Sequence, residues 1–258
     1  MILMDLSKIM KRKDILNELE NGPGFSLRIK INQDEFNFLK STIENDFLKI
    51  VEKYLEDKNF KEKNISFKKY ESLSNFISHE KIWTKLNRML DKKTSEFFIK
   101  SKYYESLKNE LNIIEISDEE KLGYPNLYWR IVRTNRNDDI GPLHRDEWFW
   151  LLNPESIKKF PHKRIKVWIP IIIETNLNGL IVVPHSQKDN TIKWGTFEKG
   201  RAYKPRLTSQ INEENKKLLP TKEKDTVIFH DKLLHGGAKN NGKFPRVSLE
   251  FTLLCEKD

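Results

Sequence analysis

His144 and Asp146 place an imidazole and a carboxylate two residues apart. We predict a strand over residues 144–151, on which side chains alternate between faces, so these two would point the same way and Arg145 away. Such a pair supplies two of the three protein ligands of a facial iron site. With 6 His and 38 acidic residues in the chain, about one such pair is expected by chance, so a plain surface pair is an equally simple explanation.

Polar residues near the C-terminus could complete the site. His235 precedes two glycines in a turn and could be a third metal ligand. Arg246 follows, with Ser248 two residues beyond it and so on the same strand face. A guanidinium meets a carboxylate with two parallel hydrogen bonds, so Arg246 and Ser248 could hold a carboxylate together. His230 is a rival third ligand, although a structural role at a strand end suits it better.

The elements that must position these residues change type near residue 112. The helical period of apolar residues predicts helices over residues 14–20, 33–57, 80–90 and 95–111. Short β-branched and aromatic runs then predict strands over 113–116, 127–134, 144–151, 165–174, 180–183, 226–229 and 247–254. Short strands without intervening helices favour an antiparallel sandwich or jelly roll. We therefore expect one α+β domain over residues 1–258, with a mainly helical front (1–111) packed on a jelly-roll core (112–258).

Composition narrows the class of protein. The chain has no run of about 18 apolar residues, so we expect no membrane span, and Met1–Asp5 does not begin a secretory signal. The single cysteine, Cys255, cannot form an internal disulfide, which favours a cytoplasmic location. The net charge of +9 arises after residue 120, where 25 basic residues face 16 acidic ones, against 22 of each before it. This excess is weak evidence for anionic ligands, and it favours small ones.

Two short segments, Trp168-Ile169-Pro170 and Gly179-Leu180 through Pro184, lie between the His144/Asp146 pair and His235. With these segments the chain resembles the Fe(II)- and 2-oxoglutarate-dependent oxygenases of the phytanoyl-CoA dioxygenase-like branch. The family pattern of His-x-Asp, Gly-Leu-x-x-x-Pro and a distal His followed by Arg-x-Ser is present in order, over roughly residues 127–254. Where members commonly read Pro-Gly-Ser-His, this chain reads Pro-His-Ser-Gln at residues 184–187. That loop lies near the substrate mouth in the family, so the departure bears on the substrate.

The resemblance implies a double-stranded β-helix, a cupin-like jelly roll, that holds Fe(II) by His144, Asp146 and His235. It implies that 2-oxoglutarate chelates the iron and that its far carboxylate pairs with Arg246, assisted by Ser248. With O2, 2-oxoglutarate would be decarboxylated to succinate while a substrate C–H bond is oxidised, which needs the coordination positions that three protein ligands leave open. Related halogenases carry a small residue at the position of Asp146, so its presence favours hydroxylation or another oxidation.

Three further residues are candidates for the substrate pocket: Arg130, Trp148 and His185. Arg130 and Arg133 lie on opposite faces of one predicted strand, so one should point inward, where its charge requires an anionic ligand or an ion pair. Alternation places Trp148 on the same strand face as His144, although packing in the core is the simpler explanation for a tryptophan at this position. His185 lies in a loop, where a solvated histidine is the simpler explanation. The basic residues over 158–166 favour a solvated face over a binding groove.

We favour a dioxygenase that hydroxylates a small polar or anionic metabolite or a sugar-containing intermediate. An oxygenase of nucleic acid or protein side chains is the alternative, although the sequence has no nucleic-acid-binding motif. A non-oxidative cupin-type metal protein or binding module is the third hypothesis, and Arg246 with Ser248 argues against it. The long stretch 189–224 is a lid or a covering loop.

Overall fold

A computed structural model describes residues 14–56, 65–73, 76–152, 162–199 and 202–256 of the chain. Helices form its first layer. They are α1 (14–20), α2 (Gln33–Glu56), α3 (Tyr70–Leu73), α4 (His79–Ile82), α5 (Lys92–Phe98) and α6 (Lys102–Leu111). In α2, apolar side chains at helical spacing, from Phe36 to Leu55, are buried. Asn32 caps it, since its Oδ1 accepts from the backbone N–H of Glu35 at 2.9 Å.

Two predicted helices are shorter than expected. The helix expected over 80–90 is the single turn α4 followed by a 3₁₀ turn, Leu86–Arg88. There the Asn87 side chain donates to the carbonyl of Ile82 at 2.7 Å and competes with helical bonding. The helix expected over 95–111 is divided into α5 and α6, because Ser101 caps a new helix by accepting from the backbone N–H of Tyr104 at 3.1 Å.

The strands form two facing sheets and a hairpin. In chain order they are β1 (Phe25–Ser26), β2 (Ile113–Ile116), β3 (Tyr128–Val132), β4 (Lys163–Ile172), β5 (Leu180–Val182), β6 (Trp194–Lys199), β7 (Ala202–Leu207), β8 (Lys217–Leu218), β9 (Val227–His230), β10 (His235–Gly237) and β11 (Arg246–Cys255). The large antiparallel sheet has the order β1-β9-β4-β11-β2, with β3 also paired to β11, and the small sheet has the order β10-β5-β8. This arrangement is the expected α+β double-stranded β-helix with a helical layer.

Alternation along the long strands separates the two sides of the large sheet. Val247, Leu249 and Phe251 of β11 join the core that the helices cover, so the intervening residues face the small sheet. Trp168 and Phe229 pack against Leu180 and Val182 across the gap between the sheets. We call this gap the barrel interior; the large sheet lines it with Arg130, Lys166, Trp168, Phe229, Arg246, Ser248, Glu250 and Thr252.

The strand predicted over 144–151 is wrong. His144 makes one isolated bridge to His235, and the helix α7 (Asp146–Leu151) begins two residues later. Asp146 and Glu147 suit the first turn of a helix, where negative charge is favourable, and the backbone N–H of Glu147 donates to the carbonyl of Asp231 at 3.1 Å. The alternation argument for residues 146–151 therefore fails. None of the described helices combines the length and apolarity needed to cross a bilayer.

Candidate metal centre

His144, Asp146 and His235 come together at one edge of the barrel interior. The backbones of His144 and His235 exchange two hydrogen bonds of 2.9 Å, which fixes the two imidazoles side by side. Asp146, at the start of α7, lies between them: each histidine Nε2 is 3.7 Å from a different oxygen of this carboxylate. One potential ligand atom from each of the three residues lies within 4.8 Å of the others. Helix geometry, and not strand alternation, thus brings Asp146 beside the histidines.

Backbone carbonyls orient both imidazoles and accept from the Nδ1–H of each ring. The Nδ1 of His144 lies 2.9 Å from the carbonyl oxygen of Pro142, and the Nδ1 of His235 lies 2.9 Å from that of Leu233. A carbonyl only accepts, so Nδ1–H is the donor in each ring, and Nε2 is the nitrogen that faces Asp146. Burial lowers the pKa of His235 to about 4, which keeps this ring neutral near pH 7. Neutral imidazoles with a free Nε2 are metal ligands.

The carboxylate of Asp146 is suited to a cation. Burial alone would raise its pKa, but nearby positive charge, above all that of Lys166, outweighs burial and holds the pKa below its usual value. Its Oδ2 is buried and accepts no hydrogen bond from the described residues. A buried, ionised and unsatisfied carboxylate is costly without a partner. A divalent iron would satisfy it, and two neutral imidazoles with one carboxylate are the donor set that Fe(II) takes in facial sites.

Arg246 and Ser248 lie in the barrel interior with unsatisfied polar atoms. They are 3% and 0% exposed, and neither Nε of Arg246 nor Oγ of Ser248 has a hydrogen-bond partner among the described residues. Arg246 does donate from Nη1 to the carbonyl of Gly179. Burial lowers the pKa of Arg246 to about 10, so the guanidinium is still charged near pH 7. A buried cation with free donors beside a free hydroxyl fits the far carboxylate of 2-oxoglutarate.

The metal cluster and the guanidinium of Arg246 meet at strand β10, which carries His235. A Cβ built on Gly237 would lie 3.0 Å from Nη2 of Arg246, so the guanidinium packs against the strand two residues beyond His235. Two residues of strand span roughly 6.6 Å. This separation between His235 and the guanidinium is similar to the length of a five-carbon dicarboxylate.

Of the two candidate arginines, Arg130 points into the barrel interior. Its Nε and Nη2 both contact Oε1 of Glu250 at 2.7 Å, so it has the ion pair that an inward charge requires. Arg133 forms a separate pair with Asp139, at 2.7 Å from Nη2. His230 does not join the metal cluster: it lies 3.0 Å from Asp231 through Nδ1 and 3.5 Å from Glu20 through Nε2.

Trp148 lies away from the face on which the strand prediction placed it. It is buried and stacks on Trp194 at 5.5 Å between ring centroids. Trp194 begins the β6–β7 hairpin, so this stack fixes the first part of the 189–224 stretch on α7. Of the three aromatic residues over 148–150, Phe149 lies beside the cluster, with its ring centroid 5.4 Å from that of His144.

The loop over 184–187 connects three parts of the chain. His185 is exposed, and its Nδ1 lies 2.9 Å from the carbonyl of Gly22. Ser186 accepts from the backbone N–H of Leu234 at 2.8 Å, next to His235, and Gln187 donates to the carbonyl of Leu19 at 3.1 Å. These contacts anchor the segment before β10. A role of His185 toward substrate stays a prediction.

Four residues near the site were missed by sequence reasoning. Lys166 faces the barrel interior and Arg164 is 9% exposed, so the solvated face predicted over 158–166 is wrong for these two; residues 158–161 lie outside the described part of the chain. Glu250 pairs with Arg130, and Gly237 leaves room for Arg246. Lys166 has the alternation phase of Trp168, and Glu250 has that of Ser248, which is the signal that could have placed both inside.

Comparison with known proteins agrees with this geometry. A family model described as phytanoyl-CoA dioxygenase matches residues 76–248, more than half of the chain. No significant match is found among curated proteins. Similar solved structures include EvdO2 from Micromonospora carbonacea var. aurantiaca, with a TM-score of 0.54 at 11% identity, covering 96% of this chain and 90% of that one.

Two further structures have the same fold. The apo form of ThoJ, a non-heme monooxygenase, has a TM-score of 0.54 at 10% identity, covering 93% of this chain and 77% of that one. Apo EctD from S. alaskensis has a TM-score of 0.50 at 14% identity, covering 90% and 73%. At such identities these likenesses show the fold alone, whereas the family match carries the assignment. The chain belongs to the phytanoyl-CoA dioxygenase family, and it is accordingly an oxygenase whose cofactors are Fe(II) and 2-oxoglutarate.

Proposed function

We propose that this oxygenase hydroxylates a C–H bond of a small molecule that is polar and carries negative charge. The observation that carries the proposal is the pairing of two unsatisfied groups in one interior: the cluster of His144, Asp146 and His235, and the free donors of Arg246 with Ser248. The first group suits a divalent metal and the second suits a carboxylate, as a metal and a dicarboxylate cosubstrate require.

Each residue would have a separate task. His144, Asp146 and His235 would hold the iron, with the carbonyls of Pro142 and Leu233 orienting the two imidazoles. Arg246 and Ser248 would bind the far carboxylate of 2-oxoglutarate. When bound, the iron supplies oxidation of a substrate C–H bond coupled to conversion of 2-oxoglutarate and O2 to succinate and CO2. The carboxylate of Asp146 occupies the position that halogenases leave open for chloride, which supports hydroxylation over halogenation.

The distribution of positive charge supports a small anionic substrate over a nucleic acid. Of the basic residues that give the later part of the chain its excess charge, Arg130, Lys166 and Arg246 line the barrel interior. Charge inside a narrow cleft attracts a small anion, whereas nucleic-acid binding needs basic residues spread along an open surface. We therefore infer a metabolite-sized substrate.

The test is a substrate screen that measures both products. Purified protein with Fe(II), 2-oxoglutarate and O2 is incubated with small carboxylates, phosphorylated sugars and their neutral analogues, and succinate is quantified. We expect an anionic compound to stimulate succinate formation and to gain one oxygen atom by mass spectrometry, both lost in His235→Ala. Stimulation by single-stranded RNA, DNA or protein but by no small molecule would overturn the proposal, as would a product without the added oxygen.

A further inference from the structure

We propose that Lys166, with the Arg130–Glu250 pair beside it, forms the subsite that binds an anionic group of the substrate. The group would be a carboxylate or phosphate, held by the ammonium of Lys166 and the open edge of the Arg130 guanidinium. This inference rests on the proposed function, because it assigns the part of the barrel interior that neither the metal ligands nor Arg246 uses.

Lys166 is close to the metal cluster through a chain of direct contacts. It stands opposite Phe229 in the pairing of β4 with β9, and the Phe229 ring centroid lies 4.5 Å from that of His235. On its other side Lys166 stands opposite Thr252, so both neighbours share its interior face. A substrate group held by Lys166 would therefore lie beside the iron.

The ammonium of Lys166 has spare donors. It donates to Oγ1 of Thr252 at 3.3 Å, which uses one of its three N–H groups. Its charge interacts with Asp146, Glu119 and Glu250, but within the described residues no carboxylate oxygen lies within the 4.0 Å of an ion pair. A partly buried lysine with unused donors suits an oxyanion.

Arg130 is open to the same space. Its side chain is 52% exposed, although its strand neighbours Trp129 and Ile131 are 0% and 4% exposed. These neighbours face the helical layer, so the exposed surface of Arg130 faces the barrel interior. Both of its contacts to Glu250 use the single oxygen Oε1. The rest of the guanidinium is therefore available to a ligand.

Within this subsite Glu250 forms an ion pair with Arg130, whereas Lys166 forms none with a carboxylate of the described residues, and the nearest carboxylate on its Thr252 side, Glu119, is bonded to Oγ1 of Thr252 at 2.8 Å. Lys166 is separate from the cosubstrate end: Thr252, opposite Lys166, lies four residues along β11 from Ser248, which is roughly 13 Å of strand. Arg130 stands opposite Ser248 and so lies between the two ends. A carboxylate held by Lys166 is therefore distinct from the one that Arg246 and Ser248 would bind.

The test measures anion binding with the cosubstrate site already filled. Anaerobic protein saturated with Fe(II) and 2-oxoglutarate is titrated calorimetrically with acetate, its neutral counterpart acetamide, and inorganic phosphate. We expect at least one oxyanion to bind and acetamide not to bind. In Lys166→Met the oxyanion affinity should fall at least tenfold, and Lys166→Arg should restore most of it. The tighter of acetate and phosphate then identifies the group that the subsite takes.

Lys163→Met is the matched control, because Lys163 lies on the same strand, pairs with Glu20 and points away from the interior. Its oxyanion affinity should equal that of the wild type. Oxyanion binding that is equal in Lys166→Met and wild type, or equal binding of acetamide and acetate, would overturn the subsite. The charge-transfer band of the Fe(II)–2-oxoglutarate complex is recorded in each sample and separates the two proposals. Absence of the band in wild type would contradict the proposed function. An intact band together with oxyanion binding that does not depend on Lys166 would contradict only the subsite.

Discussion

The guanidinium of Arg246 occupies the space that a side chain at Gly237 would fill, since a Cβ there would lie 3.0 Å from Nη2. The φ angle of Gly237 is not positive, so its backbone conformation does not require glycine. Glycine is required because the guanidinium of Arg246 approaches so closely. We therefore expect the second glycine after His235 to support the proposed cosubstrate site, because it allows the charged end of Arg246 to pack against the strand that carries His235.

Gly237→Ala should weaken 2-oxoglutarate binding and leave metal binding intact. The added methyl group would push the guanidinium from its place, and we expect the dissociation constant of 2-oxoglutarate to rise about tenfold, since a displaced charge-assisted pair costs on the order of 1.5 kcal/mol. Calorimetric titration of the Fe(II)-loaded protein measures this. Gly141→Ala is the control, because a Cβ at Gly141 meets no atom within 4 Å. Equal affinities in both variants would contradict the assigned role of Gly237.

Asp139 connects the loop that leads to His144 with the helical layer. Its carboxylate accepts from the backbone N–H and the Nε of Arg133 at 2.8 and 2.9 Å, and it lies 3.5 Å from Nε2 of His79. His79 in turn contacts the hydroxyl of Tyr70 at 2.9 Å through Nδ1. This buried chain holds the segment that leads to His144.

Asp139→Asn should destabilise the protein, because it leaves the partly buried Arg133 without its counter-charge. We expect a loss of about 3 kcal/mol in the free energy of unfolding, in the range for breaking one partner of a buried ion pair. Denaturant unfolding of Asp138→Asn is the control, since Asp138 is the exposed neighbour. If the two variants unfold at the same denaturant concentration, the chain through Asp139 contributes no stability.

The Arg130–Glu250 pair should make stability depend on acidic pH. Burial would raise the pKa of Glu250, but the charges of Arg130 and Lys166 outweigh it and lower the pKa from 4.5 to about 2. A carboxyl group with a lowered pKa in the folded state contributes its full stability above pH 4.5 and loses it as the pH falls toward 2. Such a shift corresponds to a contribution on the order of 3 kcal/mol.

Glu250→Gln should therefore lose less stability than wild type between pH 4.5 and pH 2, measured by urea unfolding at several pH values. Glu223→Gln, which alters an exposed pair with Lys40, should follow the wild-type curve. Parallel curves for wild type and Glu250→Gln over this range would show that the pair does not control acid stability.

The sequence predicted most of the sheet because alternation and β-branched runs are local signals. The strand β2 has its predicted bounds, and β4, β9 and β11 agree within two residues. The run Trp148-Phe149-Trp150 misled the prediction, since aromatic residues suit a strand as well as a short helix. The turn out of the sheet after His144 depends on contacts with residues more than eighty positions away, which no local pattern contains.

The candidate site was predicted in part for the same reason. Motif spacing identified the three residues that form the metal cluster and the two at the cosubstrate end, although the face of Asp146 was argued from the wrong element. Lys166 and Glu250 were missed because a lysine among basic neighbours resembles a solvated face, and only the register of β4 and β11 places both side chains in the interior. The assignment of these residues to iron and cosubstrate stays a prediction until ligands are titrated.

An anaerobic titration with Fe(II) and 2-oxoglutarate, followed by the visible metal-to-ligand charge-transfer band, tests the central claim most directly. Wild type is compared with His144→Ala, Arg246→Ala and the control Lys163→Met, which alters a lysine paired with Glu20. We predict a band in wild type and control, no band in His144→Ala, and a band in Arg246→Ala that needs at least tenfold more 2-oxoglutarate. A folded wild-type protein that binds iron but gives no band, or a band unaffected by Arg246→Ala, would contradict the site described for this chain.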